Sequence, residues 1–118
     1  MTPLLVYLIL RVMAWIYLIL AGLVEIGFTT FLNLSHNFTR LWPTLAFMAA
    51  AMLSFFLLSL SLRQIPLGTA YAVWTGIGAF GTALVGILYF DESTDFWKIF
   101  FLFLLILSII GLKWVATD

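Results

Sequence analysis

Polar residues are so sparse along this chain that they mark where its apolar segments stop. From Pro3 to Leu34 the only charged side chains are Arg11 and Glu25. His36-Asn37-Phe38-Thr39-Arg40 then interrupts the apolar run, Arg63-Gln64 interrupts the next, and Asp91-Glu92-Ser93-Thr94-Asp95 the third. Crossing a bilayer takes roughly 20 apolar residues at 1.5 Å rise each. Four helices are therefore predicted, over about 13–34 with a reach back to about residue 4, about 43–62, about 66–90 and about 96–116. Pro43 and Pro66 suit first helical turns, while Trp42, Trp97 and Trp114 suit membrane interfaces. Connections of a few residues make successive helices antiparallel neighbours and leave no room for a soluble domain. The predicted fold class is an all-α integral membrane protein, a four-transmembrane-helix bundle forming one membrane domain over 1–118.

Composition agrees with that class and removes others. The chain is 65% hydrophobic and 8% charged, with a mean hydropathy of +1.23, whereas soluble domains carry about 25% charged residues. The absence of cysteine excludes a disulfide framework and a thiolate metal site. A formal charge of zero gives no electrostatic reason to expect a nucleic-acid partner. The single histidine, His36, cannot assemble a zinc site without sulfur ligands. Neither a phosphate-binding loop with its lysine nor a serine–histidine–acid set is present. One intramembrane acid and some aromatics are too few groups for an enzyme, so the expectation is a non-enzyme with no cofactor and no metal. The acidic run at 91–95 lacks a recognised ligand spacing and reads as a solvated loop.

The N-terminal stretch does not resemble a cleaved leader, because Arg11 follows the short run Pro3–Leu10 and hydrophobicity resumes at Val12. Met13 opens a segment long enough to span by itself, so residues 1–12 are either an extension of the first helix or an upstream start. Four spans place Arg11, Arg63 and Lys113 on one side of the membrane and Arg40 and Lys98 on the other. Three against two gives the positive-inside rule little to act on, and a start at Met13 would make it two against two. Insertion both ways round is expected, which permits an antiparallel dimer; the alternative is an orientation fixed by a partner.

Glu25 is the candidate centre of function, since an ionisable residue inside a span usually marks an ion or substrate pathway. At 100° per residue, Leu18, Gly22, Thr29, Leu32 and His36 share its side of the helix, with Asn33 at the margin. Small residues on such a stripe also let helices pack closely. In the second segment Ala46, Ala50 and Ser54 recur every four residues, and Ser54 either packs or hydrogen-bonds to Glu25 or a ligand. In the third, Tyr71, Trp74, Thr75, Gly78 and Thr82 share one face. Aromatic walls beside a carboxylate suit an organic cation through charge pairing and cation–π attraction; the same residues also suit a tight glycine interface. Gly76, Gly78 and Gly81 admit a kink. In the fourth segment only Ser108 and Gly111 offer a notch for close approach, which suits dimer packing.

The lone acid in the first span, Phe38-Thr-Arg-Leu-Trp-Pro43 after it, and Pro66-Leu-Gly-Thr-Ala-Tyr-Ala-Val-Trp-Thr-Gly-Ile-Gly78 together resemble the small multidrug resistance family over residues 13–117. The third-helix wording and the ending Ile110-Gly-Leu-Lys113 are most similar to its guanidinium-exporter subgroup. The resemblance implies a multi-pass protein of the bacterial inner membrane. It further implies an antiparallel dimer whose two central glutamates exchange protons for a small organic cation. By motif position Glu25 is the essential acid, Tyr71 and Trp74 the binding-site aromatics, Ser54 the second-helix serine and Gly22 the small residue one turn before the acid. Phe28, Thr29, Asn33, Thr75 and Gly78 are further candidates for lining the site.

The guanidinium subgroup typically carries Trp and Lys where this chain has Phe28 and Asn33. Glu25-Ile-Gly-Phe-Thr-Thr-Phe-Leu-Asn33 looks like a mixture of drug-exporting members and members that work as unequal pairs. The expectation is proton-coupled export of guanidinium or a substituted guanidinium by a homodimer. Its alternatives are export of quaternary ammonium and other drug cations, or a heterodimer with a homologous chain in which this subunit is inactive alone.

Overall fold

A computed structural model describes residues 2–116, so Met1, Thr117 and Asp118 of the expected 1–118 domain lie outside the described residues. Four helices follow one another: α1 Pro3–Leu34, α2 Leu41–Ser61, α3 Leu67–Tyr89 and α4 Phe96–Val115. All four are long and apolar enough to cross a membrane. Local chemistry sets the ends. Thr2 caps α1 by accepting a hydrogen bond from the Leu5 N–H at 3.1 Å, and Pro3 occupies the first turn, where its missing N–H costs nothing. Pro66 stands immediately before α3.

The turn after α1 is tight. His36, Asn37 and Phe38 all take positive φ, at 48°, 61° and 65°, a left-handed run that costs L-residues roughly 1–2 kcal/mol each. Buried Ser35 holds it together. Its hydroxyl donates to the Leu32 carbonyl at 2.7 Å and accepts from the Phe38 N–H at 3.1 Å. Its carbonyl accepts from the N–H groups of Thr39 and Arg40. Because α1 closes at Leu34, the stripe expected to run from Glu25 to His36 stops short of His36. Helical periodicity does not extend past a left-handed residue.

The helices are not arranged evenly. The backbone of α1 lies between those of α2 and α3, which approach each other little, and the backbone of α4 comes close to that of α3 alone. The resulting slab measures 51 × 36 × 20 Å. Its buried centre joins Ala14, Trp15, Leu18 and Ala21 of α1 to Ala70, Val73 and Trp74 of α3, with Ile65 beneath them. No residue of α4 is buried. Residues 3–12 continue α1 without a break, giving a helix of 32 residues that is ~48 Å long at 1.5 Å per residue.

Candidate functional site

The contact between α1 and α3 is built from glycines on one helix that receive side chains from the other. On α1, Gly22, Glu25, Ile26 and Thr29 recur at intervals of three and four and so share a face. A Cβ added to Gly22 would lie 2.8 Å from Cβ of Ile77. One added to Gly78 would overlap the Glu25 carboxylate, and one added to Gly81 would overlap Ile26. Further along, the hydroxyls of Thr29 and Thr82 meet at 2.6 Å. Gly76, on the other side of α3, faces Ile109 of α4, whose Cδ1 would lie 2.7 Å from an added Cβ. α3 is assigned as one helix from Leu67 to Tyr89, and these glycines give its neighbours room to approach.

Glu25 is half-buried and lies on Gly78. Its Oε1 is shielded from solvent and has no hydrogen-bond partner among the described residues. The only salt bridge among those residues, Lys98 to Glu92 at 2.9 Å, belongs to the α3–α4 connection. A carboxylate oxygen left unpaired inside a protein is costly until a proton or a cation satisfies it.

An aromatic cluster adjoins the acid. Phe28 follows Glu25 by one helical turn, and its ring centroid is 6.5 Å from that of Trp74, 6.0 Å from Phe55 and 5.9 Å from Phe47. Trp74 lies one turn before Gly78 on α3 and is also 5.6 Å from Phe55 and 5.8 Å from Tyr71. The indole is fixed as well as packed. Its Nε1–H donates to Ser54 Oγ at 2.9 Å, and that hydroxyl donates to the Ala21 carbonyl at 2.7 Å. Ser54 thus ties α2 to both α1 and α3 one turn from Glu25, while making no bond to the acid itself.

The structure brings Glu25, Gly78, Phe28, Trp74 and Ser54 together, with Tyr71 attached through its contact with Trp74 and otherwise exposed. Gly22 serves the helix contact by admitting Ile77. Thr75 turns its hydroxyl back to the Tyr71 carbonyl at 2.6 Å. Asn33 is exposed at the end of α1, where it lines a wide cavity of about 980 Å³ with Thr29, His36 and Phe90. Phe47 and Phe55 join the cluster without having stood out in the sequence. Nothing distinguishes one phenylalanine from another in a helix that is apolar on every side.

Comparison with known proteins gives the arrangement a family. Residues 13–105 match the model for the Small Multidrug Resistance protein. A protein from Proteus vulgaris named "Guanidinium exporter" is 46% identical over 101 residues, spanning 86% of this chain and 97% of the relative. Proteins of the same name from Yersinia pestis and Salmonella typhimurium are each 48% identical over 101 residues and 86% of this chain, covering 97% and 96% of their own lengths. A family match that runs through three helices and into the fourth, with relatives nearly half identical over 86% of the chain, leaves one conclusion: this chain belongs to the Small Multidrug Resistance protein family.

Proposed function

We propose that this protein exports small organic cations in exchange for protons, with guanidinium or a substituted guanidinium as the cargo and Glu25 as the shared binding group. The chain is a multi-pass protein of the bacterial inner membrane, and its relatives carry the name guanidinium exporter. The observation that carries the reading is the Glu25 carboxylate, laid on Gly78 with Oε1 unpaired beside an aromatic cluster. A planar cation placed there gains charge pairing from the acid and cation–π attraction from Trp74. A proton competes for the same oxygens. If access changes sides only when one of the two is bound, the proton gradient drives the cation outward. An antiparallel homodimer supplies two such acids, and the exposed Tyr71 and the unburied α4 are surfaces available to the second copy.

A second reading has its own support. Phe28 places an uncharged ring among Trp74, Phe55 and Phe47, and such a wall accepts a hydrophobic quaternary ammonium ion. Reconstitution of this chain alone in liposomes separates the possibilities. Guanidinium should drive proton release more strongly than tetraalkylammonium ions do, and Glu25→Gln should abolish both. Proton-coupled exchange that survives Glu25→Gln overturns the proposal, and a silent wild-type chain assigns it to a heteromeric pair.

A further inference from the structure

The end of the bundle that carries the start of α1 and the end of α4 holds a second concentration of charge, which cation exchange does not use. Arg11 of α1 and Lys113 of α4 border a groove of about 640 Å³. Two ridges of α1 line it at intervals of four residues, Leu8-Val12-Ile16 and Arg11-Trp15-Ile19. Measured along the helix axis it runs ~17 Å at 1.5 Å per residue, close to half of a hydrocarbon core of roughly 30 Å. The groove therefore has the length of one leaflet, with its basic residues toward one end.

One of the two basic groups is visibly unsatisfied among the described residues. Nη1 of Arg11 is buried and has no hydrogen-bond partner among the described residues. Lys113 Nζ stands 5.2 Å from the centroid of the Trp15 ring, which holds the ammonium beside the groove. Among the described residues no carboxylate lies at this end. Asp91, Glu92 and Asp95 occupy the α3–α4 connection at the other end, and Glu25 is ~21 Å farther along α1 at 1.5 Å per residue. Arg63 adds a third cation at the same end.

The length of α1 sets the depth of Arg11. Leu4 to Leu10 are all apolar and all exposed, and they extend the helix past Arg11. A helix longer than the hydrocarbon is accommodated by tilting or by lying partly in the interface. Either way, keeping Leu4–Leu10 out of water holds the guanidinium at the level where headgroups meet acyl chains.

We propose that this groove binds an anionic phospholipid. Its phosphate lies between Arg11, whose planar fork can grip two oxygens, and Lys113, while an acyl chain runs inward along Val12, Ile16 and Ile19. Free inorganic phosphate shares the charge but leaves the apolar length of the groove empty, so the lipid is the assigned occupant. The site is independent of the cation reading, and neither basic residue belongs to the exchange site.

Native mass spectrometry of the full chain in dodecyl maltoside tests it, with phosphatidylglycerol and phosphatidylcholine of identical acyl chains as probes. Phosphatidylglycerol should bind at least fivefold more tightly. Arg11→Gln combined with Lys113→Gln should reduce that preference below twofold, and Arg63→Gln, which removes one positive charge from the same end, should leave it intact. Inorganic phosphate in millimolar excess should displace neither lipid. Equal binding of the two lipids overturns the proposal. So does an equal loss in Arg63→Gln, which indicates diffuse attraction, or displacement by phosphate, which indicates a small-anion site. If the double variant fails to elute as a folded species, Lys113→Gln alone must still halve the preference for the proposal to stand.

Discussion

Removing the Ser54 hydroxyl should cost more stability when Trp74 is present than when it is replaced by phenylalanine. Ser54 is fully buried, donates to the Ala21 carbonyl at 2.7 Å and accepts from the Trp74 indole at 2.9 Å. The two bonds are not equivalent. The Ala21 carbonyl lies inside α1, where it already has its helical partner, so losing the serine costs about 0.6 kcal/mol, the average for such bonds within membrane proteins. The indole N–H has no second acceptor among the described residues, and an unsatisfied buried donor costs about 1–3 kcal/mol. Ser54→Ala should therefore destabilise by about 2–3 kcal/mol, the second contribution dominating. In a Trp74→Phe background no donor is orphaned, and the same substitution should cost about 0.6–1 kcal/mol. The cycle isolates a coupling of about 1–2 kcal/mol, which lies within the range measured for residues in one hydrogen-bond network. Unfolding by titrated dodecyl sulfate in mixed micelles, followed by far-ultraviolet circular dichroism at fixed protein concentration, measures all four corners. Additivity within about 0.5 kcal/mol would refute the claim that Ser54 acts mainly as the acceptor that holds Trp74.

The glycines give a graded set of outcomes in the same assay and in binding. Gly22→Ala drives a methyl to 2.8 Å from Cβ of Ile77, an atom close to its backbone, and should destabilise by about 1–3 kcal/mol as overpacking does. Gly27→Ala meets nothing within 4 Å and should gain up to ~1 kcal/mol from helix propensity; equal losses at both positions would refute the packing described. Gly78→Ala displaces the Glu25 carboxylate from its seat, and calorimetry in micelles should show guanidinium affinity falling at least tenfold, about 1.4 kcal/mol, with an unchanged Kd counting against the site. Lys98→Ala removes an exposed pair to Glu92 and should change stability by less than about 1 kcal/mol. A larger loss would mean that the α3–α4 connection has partners beyond that pair.

Four spans, their approximate limits and the isolation of Glu25 within the first could be read from the chain alone, for a single reason. Water and hydrocarbon differ so strongly for charged groups that Arg40, Arg63 and the acidic run at 91–95 must fall where the helices end, and an acid left between them stands out against its surroundings. Which helix faces which was not readable in the same way. Lipid tails are as apolar as leucine, so a transmembrane helix carries little periodic signal for its neighbours. Only the tertiary structure set α1 between α2 and α3 and left α4 on the outside. It also gave Ser54 to Ala21 and Trp74 instead of Glu25, and gathered Phe28, Phe47 and Phe55 around the indole. Close packing between particular atoms made those choices, and a hydropathy pattern carries no record of it.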